Sequence, residues 1–201
     1  MFNEHFLSKF GGIAVPFREV MMDGDTAADI YSEEFINLRS SELNISKAEY
    51  RANITVCDVL NKGYSEVRLW FGKDTFCQMN LLTLLAYLEQ SDYSGKVVLN
   101  CIDDETFEVI EANIIVHLGI YKKAYADILI CRQLPEDFGV LTPDAVKLYF
   151  DYHSSDGALA RMARDNSDMD KTALVCLLLE NSNEYGLSDI QAEKLIRKYR
   201  E

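Results

Sequence analysis

Apolar and polar positions change their period several times along the chain, and each change predicts an element. Val67, Leu69 and Phe71 alternate with Arg68 and Trp70, which predicts a strand over about 64–71. The leucine-rich stretch 75–90 reads as a long buried helix. KVVLNCI (96–102) reads as a buried strand of parallel type, apolar without alternation. Strand, helix and strand on short links form a βαβ unit, whose right-handed crossover makes the strands parallel. Upstream, IAVPF (13–17) predicts a short buried strand with Pro16 at an end or edge. The loop MDGDTAAD follows it. Tyr31, Phe35, Leu38 and Leu43 then recur at helical spacing over 26–43. Ser46 and Glu49 form a capping box for a second helix, which carries Tyr50, Ile54, Cys57, Val59 and Leu60 and ends near Gly63.

Beyond Ile102 the β-branched residues Val109, Ile110, Ile114, Ile115 and Val116 tilt FEVIEANIIVHL toward a strand in its later half. Ile120, Ala124, Ile128 and Leu129 fit a helix near 119–132, and LPEDFG is a linker. Everything after it patterns as helix. Thr142 precedes Pro143 as N-cap and first helical residue, with Val146, Tyr149 and Phe150 as the apolar stripe. Ser155, Asp170 and Ser188 open three further helices. The pattern therefore predicts an α/β domain over 1–134, a short mostly parallel, Rossmann-like sheet with flanking helices, and an all-helical C-terminal module over 135–201.

Composition narrows the classes. At 48% hydrophobic and 11% aromatic, the 201 residues can bury a real core, which argues against disorder. No run approaches the roughly 18 apolar residues of a membrane span, and the first residues carry Glu4 and no basic leader. The five cysteines stand singly among apolar neighbours, as reduced, buried thiols of a cytosolic protein do. A net charge of −13 repels nucleic-acid phosphates unless basic residues are segregated. The best candidate for such a cluster is KLIRKYR, within a C-terminal region that is itself acidic. A DNA-contacting tail would use Gln191, Lys194, Arg197 and Lys198; the plainer alternative is a terminal helix packing Ile190, Leu195 and Ile196.

Candidate chemistry gathers in two turns that each follow a predicted strand. In an open parallel sheet ligands bind outside the carboxyl ends of the strands, where helix N-termini present free N–H groups. After Phe71 comes Gly72–Lys73–Asp74–Thr75, with Lys73 to meet an anion, Asp74 at the N-cap and Gln78 one turn on. The plainer alternative is that Asp74 only caps, accepting from the N–H of Cys77, and that Gln78 satisfies a buried backbone group. After Phe17 come Arg18, Glu19, Asp23 and Asp25. Asp23, Asp25 and Asp74 together would suit a divalent cation or acid–base work on a phosphate compound. His5, His117 and His153 have no metal-ligand spacing, and no P-loop, GxGxxG, GxSxG or HExxH is present, so no metal or cofactor is named.

LWFGKDTFCQMNLLTLLAYLE, with Leu69, Trp70, Phe71, Asp74 and Gln78, resembles the signature of a bacterial family known as domain of unknown function 1835. PFREVMMDGD, with Arg18, Glu19 and Gly24, is similar to an earlier block of that family. YGLSDIQAEKLI is similar to its closing block, in an all-helical tail. The resemblance covers most of the chain and implies the fold above but no activity. Members of that family begin with an extra strand and a GDS-like loop, where this chain has MFNEHFLSKFGG. That difference implies a sheet one strand short, with an exposed edge that invites a homodimer.

Three functions follow as expectations, the third being a transcription-related regulator that touches DNA through the helical tail described above. One is a cytosolic binding protein that takes a small anionic ligand or a protein partner at the C-terminal edge of the sheet, using Arg18, Glu19, Asp23, Lys73, Asp74 and Gln78. The second is a metal-assisted hydrolase or transferase. The first two require the backbone after Phe17 and the backbone after Phe71 to meet.

Overall fold

A computed structural model describes residues 12–54, 60, 62–103, 106 and 108–199. It is a mixed α/β structure built on a three-stranded sheet in the order β1–β2–β3, with β1 Glu66–Phe71, β2 Lys96–Ile102 and β3 Val109–Val116. Between the first two strands runs α3, Thr75–Gln90, and β1 and β2 pair in parallel from Glu66 opposite Lys96 to Phe71 opposite Cys101. The helix and the second strand have the bounds their periodicity predicts, and the first strand begins two residues later, at Glu66.

Two sheet expectations are corrected. Residues 13–17 form no strand; Ile13 is 61% exposed. Pro16 has no N–H to give a ladder, and among the described residues no strand pairs with the run. The sheet is also mixed instead of mostly parallel, because β3 runs antiparallel to β2. Only six residues separate Ile102 from Val109, too few for a crossover of a dozen or more. A bulge lies between Leu99 and Cys101 in that pairing. Asn113 sits in it at φ +59°, held by its N–H to Asn100 Oδ1 at 3.0 Å and by Arg68 at 3.1 Å. Among the described residues β3 has no second strand neighbour, and Val109, Ile110 and Ile115 are exposed along it.

Helix α1, Glu33–Glu42, starts later than periodicity predicts, because Ser32 is its cap, accepting from the N–H of Phe35. Helix α2, Lys47–Asn53, has Ser46 as cap, with Ser46 Oγ accepting from Glu49 N at 3.1 Å. Its expected extension through 55–59 lies outside the described residues. Helix α4, Tyr121–Tyr125, passes into a π-helical turn at Ala126–Ile130, and Glu89 of α3 caps its start through the N–H groups of Tyr121 and Lys122, both at 2.8 Å.

From residue 143 the described chain is helical: α5 Pro143–His153, α6 Ala158–Asp165, α7 Lys171–Glu180, a 3₁₀ turn at Asn183–Tyr185 and α8 Asp189–Tyr199. Pro143 stands at the start of α5, and Asp170 caps α7. Ser188 and Gln191 close a reciprocal capping box on α8. Ser155 is not a cap; Gly157 takes that place on α6. Helix α5 packs on α3, and one apolar cluster runs from Met21 through the sheet to Ile196. Leu195 and Ile196 lie in it, whereas Ile190 is 67% exposed. The cysteine expectation holds for Cys101, which is buried, and fails for Cys131 and Cys176, which are exposed. Cys77 is half-buried, and Cys57 lies outside the described residues.

Candidate functional site

The segments after Phe17 and Phe71 do meet. The two rings pack edge to face at 6.1 Å, and Asn80 of α3 clamps the first segment, donating to Glu19 O at 2.7 Å and accepting from Met21 N at 3.0 Å. The six charged and polar residues expected there nevertheless go separate ways.

The turn after β1 is saturated. Asp74 Oδ1 accepts from Cys77 N at 2.9 Å, an N-cap bond. Gly186, at φ +66°, presses its backbone against that carboxylate so closely that a Cβ there would collide with it. The Thr75 hydroxyl points at the carbonyls of Glu184 at 3.1 Å and Ala145 at 3.3 Å. The N-terminus of α3 is therefore roofed by residues 145 and 184–186, and its cap position is already taken by a carboxylate. Gln78, 1% exposed, spends both ends of its amide on backbone: Nε2 donates to Gly72 O at 2.8 Å, and Oε1 accepts from Thr142 N at 2.9 Å. Lys73 pairs with Glu111 of β3, and that bond raises the lysine pKa.

Asp23 is also occupied. Its Oδ1 accepts from the Tyr152 hydroxyl at 2.7 Å, and Oδ2 lies 3.5 Å from Lys194 Nζ, which also pairs with Glu42 at 3.0 Å. Beside it, His153 Nε2 meets Met22 O at 2.9 Å. Burial and the nearby Arg132 charge hold that imidazole down at about 4. These contacts tie the first loop to α5 and α8. They also turn Lys194 inward, and Gln191 is buried in its capping box, so of the four basic-tail residues Arg197 and Lys198 face solvent. Asp25 is exposed, and Asp23, Asp25 and Asp74 do not gather. Among the described residues no group of three His, Cys, Asp or Glu stands together.

Arg18 and Glu19 remain, and they share a cleft of about 290 Å³ with Leu43, Ile45, Tyr50, Asn53 and Ile54. Arg18 is exposed at its lip with no partner among the described residues. Glu19 is 5% exposed. Its Oε1 accepts from the Tyr50 hydroxyl at 2.7 Å, and its Oε2 is buried with no hydrogen-bond partner. Burial pushes the carboxyl above the ordinary glutamate range, against the Tyr50 hydrogen bond, the Arg39 charge and the Tyr31 hydroxyl.

The residue that shapes this wall, Arg39, goes unmarked in the sequence reading. It is wholly buried, with Nη1 donating to Asp23 O at 2.6 Å and Asp25 O at 3.3 Å and Nη2 to Val20 O at 2.7 Å. One guanidinium thus folds the loop 20–25 into shape, satisfying carbonyls that a tight buried turn strands. Its position was legible, since Arg39 lies four residues after the buried Phe35 on one face of α1. Tyr50 was placed on the apolar stripe of α2, but nothing local marked its hydroxyl as the partner of Glu19.

No family model, curated protein or solved structure matches this chain.

Proposed function

We propose that this chain is a binding protein for a small anionic ligand, held in the cleft of Arg18 and Glu19 beside the carboxyl end of β1. One observation carries the proposal: an arginine without a partner among the described residues stands next to a buried glutamate whose second oxygen has none either. Buried polar atoms are normally satisfied, so an unsatisfied carboxyl oxygen behind the wall of a cleft marks that wall as one a ligand would complete. Lys73, Asp74 and Gln78 then act as structure, holding the sheet edge and the start of α3. Calorimetric titration of the whole chain with acetate, hexanoate and inorganic phosphate is the test, with Arg18→Ala as control. Binding that weakens in the variant supports the proposal; absence of heat with all three anions removes it.

Kinship with the domain-of-unknown-function 1835 family belongs to the same proposal, as do the Rossmann-like character of the first half and an all-helical C-terminal module. What favours them is the parallel βαβ unit with Asp74 and Gln78 at its turn, and the helices from Pro143 onward. No helix among the described residues is long and apolar enough to cross a membrane, which is compatible with the cytosolic setting proposed for it.

A further inference from the structure

We infer that the outer edge of β3 is an interface for a second copy of this chain, the two β3 strands pairing antiparallel about a two-fold axis between Ala112 and Asn113. The inference stands apart from the anion-binding function proposed above.

The edge is open and apolar. Val109–Val116 pairs with β2 on one side and, among the described residues, with no strand on the other. The outer N–H and C=O groups of such a strand are a template for a further strand. Val109 is 42% exposed, Ile110 51% and Ile115 45%, and the strand has no proline or lysine to blunt its edge. Its one charged residue, Glu111, is paired with Lys73 of its own chain. The edge is thus a neutral stretch on a chain of net charge −13, where two such chains can touch without opposing carboxylates.

The symmetry of the strand selects a second copy over another partner. VIEANIIV begins Val–Ile and ends Ile–Val. A two-fold interface needs a patch complementary to itself. An antiparallel dyad between Ala112 and Asn113 sets Ile110 of each copy opposite Ile115 of the other. The bulge makes that register workable. Glu111 stands opposite Cys101 and Ile114 opposite Leu99, so Glu111 and Ile114 share a pleat phase although they are three residues apart. In a regular strand that separation would put them out of phase, and the dyad would oppose groups that bond outward to groups that bond inward. With the bulge, Glu111 faces the second copy's Ile114, and the two Glu111 carboxylates are offset along the strand.

The exposed apolar side chains fall on one face. Ile115 is opposite Val98 and Val109 is opposite Ile102, with Ile110 between Val109 and Glu111 at the second irregularity. Val98 and Ile102 alternate with Leu99 and Cys101, which face the core cluster. Ile110 and Ile115 of the two copies therefore meet on the face turned from that cluster, as cross-strand apolar pairs. Eight residues span about 27 Å at about 3.4 Å each. That strip is smaller than the roughly 800 Å² per partner of a stable interface, so the dimer is of the weak, transient class, with a dissociation constant on the order of 10–100 µM.

The test is sedimentation velocity of the whole chain from about 5 µM to about 500 µM, read beside hydrogen exchange of the β3 amides. We expect monomer at the low end, dimer at the high end, and β3 exchange that slows as the dimer forms. Ile110→Lys and Ile115→Lys each put a cation on an exposed edge position and should weaken the dimer about tenfold or more, because symmetry counts each change twice. Ile190→Lys, at an exposed isoleucine on α8, is the control and should leave the dimer unchanged. Circular dichroism melts establish that each variant is folded. Added salt should strengthen the dimer by screening two acidic chains from each other. A monomer at every concentration overturns the inference; β3 amides protected in that monomer would mean that the chain covers its own edge. A dimer that survives both β3 variants overturns it as well, and loss in Ile190→Lys alone would move the interface to α8. A dimer that salt weakens would be held by ion pairs, which contradicts a neutral edge.

Discussion

The chain makes two charged turns after two phenylalanines that touch, and the two turns differ in how completely their polar atoms are satisfied. After Phe71, Lys73, Asp74 and Gln78 each have a partner, two of them in the region beyond β2, and the helical region roofs the helix start. After Phe17, Arg18 has no partner among the described residues and Glu19 keeps one buried oxygen unpaired beside a cleft. Residue type does not separate the turns, since each offers a cation and at least one carboxylate. What separates them is how far distant segments close over the polar groups: Asp23 is held by Tyr152 and Lys194, but Arg18 is left free of partners among the described residues and one Glu19 oxygen is left unpaired.

If that contrast is right, the turn after Phe71 should respond to mutation in stability alone. Gln78→Leu should cost the most, about 2–4 kcal/mol in denaturant unfolding, because it strands the Thr142 N–H and the Gly72 carbonyl. Anion binding should be unchanged in whatever fraction stays folded.

Glu19→Gln comes next and has a pH signature. The folded carboxyl holds its proton above the ordinary value of 4.5. Wild-type stability is therefore full below that value and falls as pH rises from there through the raised folded value. Replacing the acid removes this loss. The variant should match wild type in acid and exceed it at alkaline pH by about 1–2 kcal/mol, the usual cost of a stranded buried group. A gain that is equal at every pH would contradict a raised pKa. Asp74→Ala should cost about 1 kcal/mol, the worth of an N-cap. Lys73→Ala should cost less than about 1 kcal/mol, since the Glu111 pair is solvent-exposed. Loss of anion binding in either variant would erase the contrast between the turns.

What could be read in the sequence was local. Asp74, Ser46, Asp170 and the Ser188–Gln191 box lie within three residues of the N–H groups they satisfy, and β1, α3 and β2 follow from periodicity. What could not be read depended on separation. Glu111 reaches Lys73 across a bulged antiparallel pair, Thr142 reaches Gln78 from the start of another helix, and Arg39 is buried by a loop sixteen residues before it. IAVPF carried the composition of a strand but had no ladder partner to make it one. Of the six residues expected at the site, Arg18 and Glu19 share a cleft. The carboxyl of Glu19 became distinctive only once Tyr50 and burial were seen around it.

The contrast is tested most directly by amide chemical shifts of the isotopically labelled chain as hexanoate is added. Shifts should saturate together at Arg18, Glu19, Tyr50 and Ile54 while the amides from Gly72 to Gln78 stay in place. Saturable shifts centred on Lys73, Asp74 and Thr75, with Arg18 and Tyr50 unmoved, would mean that the turn after Phe71 is the binding site and that the cleft is not.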